Sequence, residues 1–162
     1  MQANGQTAMA LRELLQLAKE VEKRMADFYQ TVSFRLQISH SRLAETFTEL
    51  AAEELLHARE FDMLQQLSEA EDVPLAAVPG MEASLAFQLA AISAAKERVS
   101  AAGEALSPQN VIEMSRKLEH GISETHRTFF IQFHDDRIRE LFSRLSFGDD
   151  THQKKLNDLA AL

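Results

Sequence analysis

An acid three residues before a histidine can share one cation with it on a helix, because both side chains rise from the same face about one turn apart. This chain has that arrangement twice, in Glu54-Leu-Leu-His57 and Asp149-Asp-Thr-His152, 95 positions apart. Both pairs sit in the same frame. Leu43, Phe47, Leu50, Glu54, His57, Phe61 and Leu64 follow at alternating steps of four and three, and Ile138, Phe142, Leu145, Asp149, His152, Leu156 and Leu159 do likewise. That periodicity puts every member on one stripe of a helix. With 25 acids and six histidines in 162 residues, about one acid-x-x-His match arises by chance. The signal is therefore the duplicated apolar frame, not the spacing alone.

Two lone carboxylates supply the other half of a site. Leu11, Leu15, Ala18, Glu22, Met25, Tyr29, Val32 and Leu36 form an apolar seam whose one acid is Glu22, and Ile112, Ser115, Glu119, Ile122, His126, Phe129 and Phe133 form one whose acid is Glu119. The two halves of the chain thus mirror each other, each with a lone-Glu helix followed by an acid-x-x-His helix.

Four carboxylates and two imidazoles on four helices would carry a charge of -4 into an apolar interior, where each uncompensated ion costs several kcal/mol. They must take up protons or find cations, and two divalent ions would neutralise them. Oxygen and imidazole donors without thiolate suit iron or manganese. The metal ligands read from sequence are Glu22, Glu54, His57, Glu119, Asp149 and His152. Tyr29 and His126, one further along each lone-Glu seam, are candidates to hydrogen-bond the ligands.

These ligands require four long helices, expected at 8–38, 41–70, 108–134 and 136–160. Short connections at Ser39–Ser41 and His134–Asp136 make each pair an antiparallel hairpin. The intervening 71–107 opens on breakers, Pro74 and Pro79-Gly80, and then carries an Ala-rich helix over Met81–Gly103. A helix of that length spans about 30 Å, enough to return along a bundle. The expected architecture is all-α: a single ferritin-like domain over 1–162, with hairpin 8–70, crossover 71–107 and hairpin 108–160. Whether the extra helix stays on its own bundle or reaches another subunit is left open.

Composition narrows the function. A net charge of -8 disfavours nucleic acid and anionic membrane surfaces as partners. The absence of cysteine removes disulfides, thiolate zinc sites, iron–sulfur centres and a thiol nucleophile. The first residues show no basic segment followed by an apolar run, so a cytoplasmic location is expected.

Through Glu22 with Tyr29, Leu50-Ala51-Ala52-Glu53-Glu54-Leu55-Leu56-His57, Glu119, and Leu145-Ser146-Phe147-Gly148-Asp149-Asp150-Thr151-His152, the chain resembles the rubrerythrin-like branch of the ferritin-like di-iron carboxylate superfamily. The resemblance implies a non-haem centre of two Fe ions, with Mn or mixed Fe/Mn as variants, that oxidises Fe(II) or reduces hydrogen peroxide or dioxygen. It implies terminal ligation by Glu22 and Asp149, bridging by Glu54 and Glu119, and one histidine for each metal. The sequence departs from that family in three places. The Cys-rich rubredoxin-like domain is missing, so electrons must come from Fe(II) itself or from a separate donor. Asp149 is shorter than Glu by one methylene, about 1.5 Å. Ile122 stands where rubrerythrins carry an extra Glu. A homodimer is expected, with exchange of hairpins between subunits left open because each hairpin carries half of the ligands. The alternatives are a non-catalytic module that handles or senses iron, and a structural bundle with a vestigial site.

Overall fold

A computed structural model describes residues 11–71, 80–102, 106–132 and 135–161. Among these residues it is all-helical, with α1 Leu11–Leu36, α2 Ser41–Glu71, α3 Met81–Ala101, α4 Pro108–Gln132 and α5 Asp136–Ala160. The expected helix ends at 8–10 and 133–134, and the expected end of the crossover helix at Gly103, lie outside the described residues.

Local chemistry sets several ends. Asp135 caps α5, its side chain accepting from the backbone N–H groups of Arg137 and Ile138, which satisfies donors that the first turn leaves unpaired. Gly80 precedes α3 with φ 82°, a left-handed conformation that residues with a Cβ rarely adopt. Pro108 opens α4, where its missing N–H costs nothing.

Side-chain contacts fix the directions of the helices. Ser33 of α1 bonds the Ala44 carbonyl and Thr48 near the connection, while Lys19 pairs with Asp62 at the far end. α1 and α2 are therefore antiparallel. So are α4 and α5, where His126 meets Asp149 and Gln153 reaches the Arg116 carbonyl. Between the hairpins, Tyr29 meets Glu119 and Glu22 meets His126, so α1 and α4 are antiparallel. Glu60 faces Arg144 while Lys155 faces Glu53, which makes α2 and α5 antiparallel as well. Gln88 donates to the Gly121 carbonyl at 2.8 Å and Ser84 lies against Thr125, so α3 runs opposite to α4. α3 also packs on α1, where Lys96 pairs with Asp27. It buries Met81, Leu85, Gln88, Ile92, Ala95 and Val99, one stripe at helical spacing. α3 thus returns along the first hairpin and lets α4 start at the end where α2 started.

The core gathers the apolar members of the seams. Tyr29, Phe28, Phe47, Phe61 and Phe142 are its largest fully buried side chains, joined by Leu14, Leu15, Met25, Leu36, Leu50 and Leu64. Each such side chain contributes about 1.5–3 kcal/mol by leaving water. This apolar energy holds the helices at separations that force Glu22, Glu54, Glu119 and Asp149 inward, all at 1 % exposure or less. The side chains of Phe129 and Phe133, expected in the α4 seam, lie outside what is described.

Candidate metal centre

The carboxylate of Glu54 lies between two imidazoles. Its Oε2 is 3.2 Å from His57 Nδ1, on the same helix, and its Oε1 is 3.2 Å from His152 Nδ1, on α5. The two rings stack with centroids 5.2 Å apart. Glu54, His57 and His152 each offer one ligand atom, all within 4.8 Å of one another. Glu22 joins on one flank, with Oε2 3.4 Å from His57 Nδ1. Glu119 joins on the other, with Oε1 3.4 Å from His152 Nδ1.

Asp149 occupies a different place. Its Oδ2 is 2.8 Å from His126 Nδ1, and the opposite nitrogen of that ring, Nε2, is 3.1 Å from Glu22 Oε1. His126 therefore links Asp149 to Glu22, and Asp149 enters the cluster through it. The resemblance had implied bridging by Glu54 and Glu119. Here Glu54 alone among the described carboxylates contacts both His57 and His152, and Glu119 contacts only the second of them.

A reciprocal pattern secures the lone acids. Tyr29, seven residues after Glu22, donates its hydroxyl to Glu119 at 2.5 Å. His126, seven residues after Glu119, reaches Glu22. Each lone-Glu helix thus carries the group that meets the other helix's Glu. Tyr29 also packs on Phe28 and Phe47, so its ring serves the core while its oxygen serves the cluster.

Two features of the site were legible only in part. Glu53, beside Glu54 on α2, places Oε2 3.0 Å from His152 Nε2, while Lys155 bonds its Oε1 at 2.7 Å. Gly148, beside Asp149 on α5, lies directly under His57: a Cβ built there would stand 2.4 Å from the ring Nε2. Both residues adjoin a ligand candidate in sequence, but only the crossing of α2 and α5 shows what each one touches.

The electrostatics show how the chain carries these acids by itself. Burial, with Glu119 alongside, pushes the Glu54 carboxyl up to about 8 against the pull of His152 and His57. Burial would also raise Glu22 and Glu119. His126 and His57 outweigh it at Glu22, and His152 and Tyr29 outweigh it at Glu119, so both fall below the usual carboxylate range. The imidazoles move the other way: burial opposes their charge, but Glu22 and Glu54 raise His57 to about 10, and Glu54 and Glu119 raise His152 to about 12. His126 rises well above its ordinary value through Asp149 and Glu22, again against burial. Burial and the neighbouring carboxylates keep the Tyr29 phenol protonated. Protons on imidazoles therefore do the work of cations.

They do it incompletely. Both oxygens of Glu22, Oε1 of Glu54, Oε2 of Glu119 and Nδ1 of His152 are buried without a hydrogen bond of acceptable geometry, although several have an oppositely charged neighbour at 3.1–3.4 Å. Native interiors leave few such atoms. These five lie in one cluster, on residue types that bind hard and borderline divalent cations, so the donor set could hold a metal ion. No family model, curated protein or solved structure matches the chain.

Proposed function

We propose that this chain is a ferritin-like di-iron carboxylate protein that oxidises Fe(II) or reduces hydrogen peroxide or dioxygen, with manganese or a mixed Fe/Mn pair as variants of the same centre. The observation that carries the reading is the Glu54 carboxylate set 3.2 Å from Nδ1 of both His57 and His152. In a ferritin-like centre Glu54, His57 and His152 would be among the residues that hold the two ions, with Glu54 shared between them. Glu22 would complete the His57 position and Glu119 the His152 position. Asp149, held by His126, is the remaining acid of the six. The directions of the helices support a ferritin-like arrangement: two antiparallel hairpins, with a helical crossover returning along the bundle.

When bound, the ions supply electrons and open coordination positions for the oxidant. The chain supplies the rest. Phe61 and Phe142 pack against the His126 ring and Phe47 against Tyr29, all three of them buried, so the groups beside the site are walled by apolar rings. That wall strengthens every charge interaction at the site. His126 can hold a proton between Glu22 and Asp149, and Tyr29 restrains Glu119. None of the described helices is long and apolar enough to cross a membrane.

Anaerobic titration with Fe(II), followed by hydrogen peroxide, tests the reading. The expected result is two irons bound per chain, rapid oxidation, and continued turnover when a reductant is supplied. Binding of no more than one iron would sink the di-iron assignment, and a single stoichiometric oxidation despite reductant would favour an iron-handling role.

A further inference from the structure

The internal repeat maps Glu54 onto Asp149, His57 onto His152 and, one residue earlier, Glu53 onto Gly148. The two helices cross so that each histidine lies over the other helix's member of that last pair. His152 directs Nε2 at Glu53 Oε2, 3.0 Å away. His57 directs Nε2 at Gly148, which has no side chain to offer. The near-symmetric site is therefore asymmetric in what stands behind its two imidazoles.

Resting on the di-metal reading, we infer that the two metal positions are unequal and that Glu53 is a positioning residue that makes the His152 position the tighter one. A histidine that binds metal through one nitrogen needs the proton on the other, and a carboxylate behind the ring fixes both that tautomer and the ring's orientation. Glu53 is placed for this role. Its Oε2 is buried and has no well-angled hydrogen bond of its own, so it is available to a small rotation of the His152 ring. Its Oε1 is held by Lys155, which anchors the carboxylate across the α2–α5 crossing. His152 Nδ1, on the opposite edge of the ring, is buried without a hydrogen bond beside Glu54 and Glu119. Glu53 behind the ring therefore leaves the Nδ1 lone pair for a cation.

The His57 position lacks this support from the residue that corresponds to Glu53, and His57 is also the more exposed of the two, at 9 % against 1 % for His152. A ring with no carboxylate at the matching place and nearer to solvent gives the weaker, faster-exchanging position. The His152 position retains its ion while the His57 position loads and unloads.

Cobalt(II) titration of the metal-free full chain, read by its visible absorption, separates the two positions. The wild type is expected to bind two ions in resolved steps. Glu53→Ala should weaken the tighter step about 10–100-fold, the usual effect of removing such a partner. Glu53→Gln, which keeps an acceptor oxygen and nearly the same shape, should fall in between and carries the test if the alanine variant does not fold. His57→Ala should abolish the weaker step and leave the tighter one intact. Equal steps in the wild type, or a tighter step unmoved by both Glu53 variants, would overturn the inference while leaving the di-metal reading standing. A wild type that takes up no cobalt would overturn the di-metal reading itself.

Discussion

Substituting Gly148 by alanine tests the close approach of α2 and α5 with a single methyl group. The added Cβ would lie 2.4 Å from His57 Nε2 and 2.8 Å from Cε1, short of an ordinary contact by about 1 Å, and the atoms it meets belong to a ring rather than to a flexible tail. His57 must turn aside, carrying Nδ1 away from Glu54 and Glu22, which it now meets at 3.2 and 3.4 Å. Overpacking of this kind costs about 1–3 kcal/mol, against a gain of about 0.5–1 kcal/mol from replacing a helical glycine. Gly121→Ala is the control, because nothing lies within 4 Å of a Cβ at that helical position. Gly121→Ala should therefore gain the helical term, and Gly148→Ala should fall about 1–3 kcal/mol below it, the overpacking cost that the two variants do not share. At about 2–4 °C per kcal/mol for a chain of this size, thermal unfolding of the metal-free proteins resolves the two. The same displacement should weaken the metal step that uses His57 by roughly 5–150-fold, the equivalent of 1–3 kcal/mol. If Gly148→Ala unfolds at the same temperature as Gly121→Ala and binds metal as the wild type does, the crossing described here is wrong.

Glu54→Gln should separate stability from metal binding. An acid raised to about 8 opposes folding increasingly as pH climbs from its ordinary 4.5 through that value. The metal-free variant should therefore match the wild type below about pH 4.5, where Glu54 carries its proton in the folded and the unfolded chain alike, exceed it in denaturant stability by a margin that grows toward pH 9, and lose the ability to hold two ions. For the metal-free wild type, His57 and His152 contribute stability that is fully present below 6.5 and lost as pH rises through about 10 and about 12. Glu22 and Glu119, whose carboxyls are lowered, contribute stability that is lost as pH falls below 4.5. Urea unfolding should accordingly be most difficult in mildly acidic solution, and a maximum above pH 9 would contradict these assignments. Metal loading at pH 7 must displace the protons of His57, His152 and Glu54, so calorimetry in buffers of different ionisation enthalpy should find about three protons released per chain. Release of fewer than about one would mean that these groups are not the ligands.

Periodicity made much of this legible. Alternating steps of four and three placed Glu22, Glu54, His57, Glu119, Asp149 and His152 on inward stripes, and all six are buried, because the same helical repeat that aligns Phe47 and Leu50 aligns the acids between them. The crossover helix announced itself through Pro79-Gly80 and its alanine content, and α3 starts at Met81. What periodicity could not give is which inward groups meet across helices. Residues 53 and 148 occupy equivalent places in the repeat, yet one carries a carboxylate to His152 and the other clears space for His57. That difference depends on the separation of α2 and α5, which one helix's pattern does not encode. The bond between His126 of α4 and Asp149 of α5, both far from Glu22 of α1 in sequence but joined to it in space, was hidden for the same reason. Leu56 and Phe147 fall outside the inward stripes and are exposed.

The central claim is that two metal ions share Glu54. Diffraction from crystals of the iron-loaded chain, with anomalous differences collected above and below the iron edge, measures this directly. The expected result is two peaks on either side of the Glu54 carboxylate, one beside His57 Nδ1 and the other beside His152 Nδ1. A single peak, or iron bound only at surface carboxylates while Glu54 keeps its contacts to both imidazoles, would contradict it.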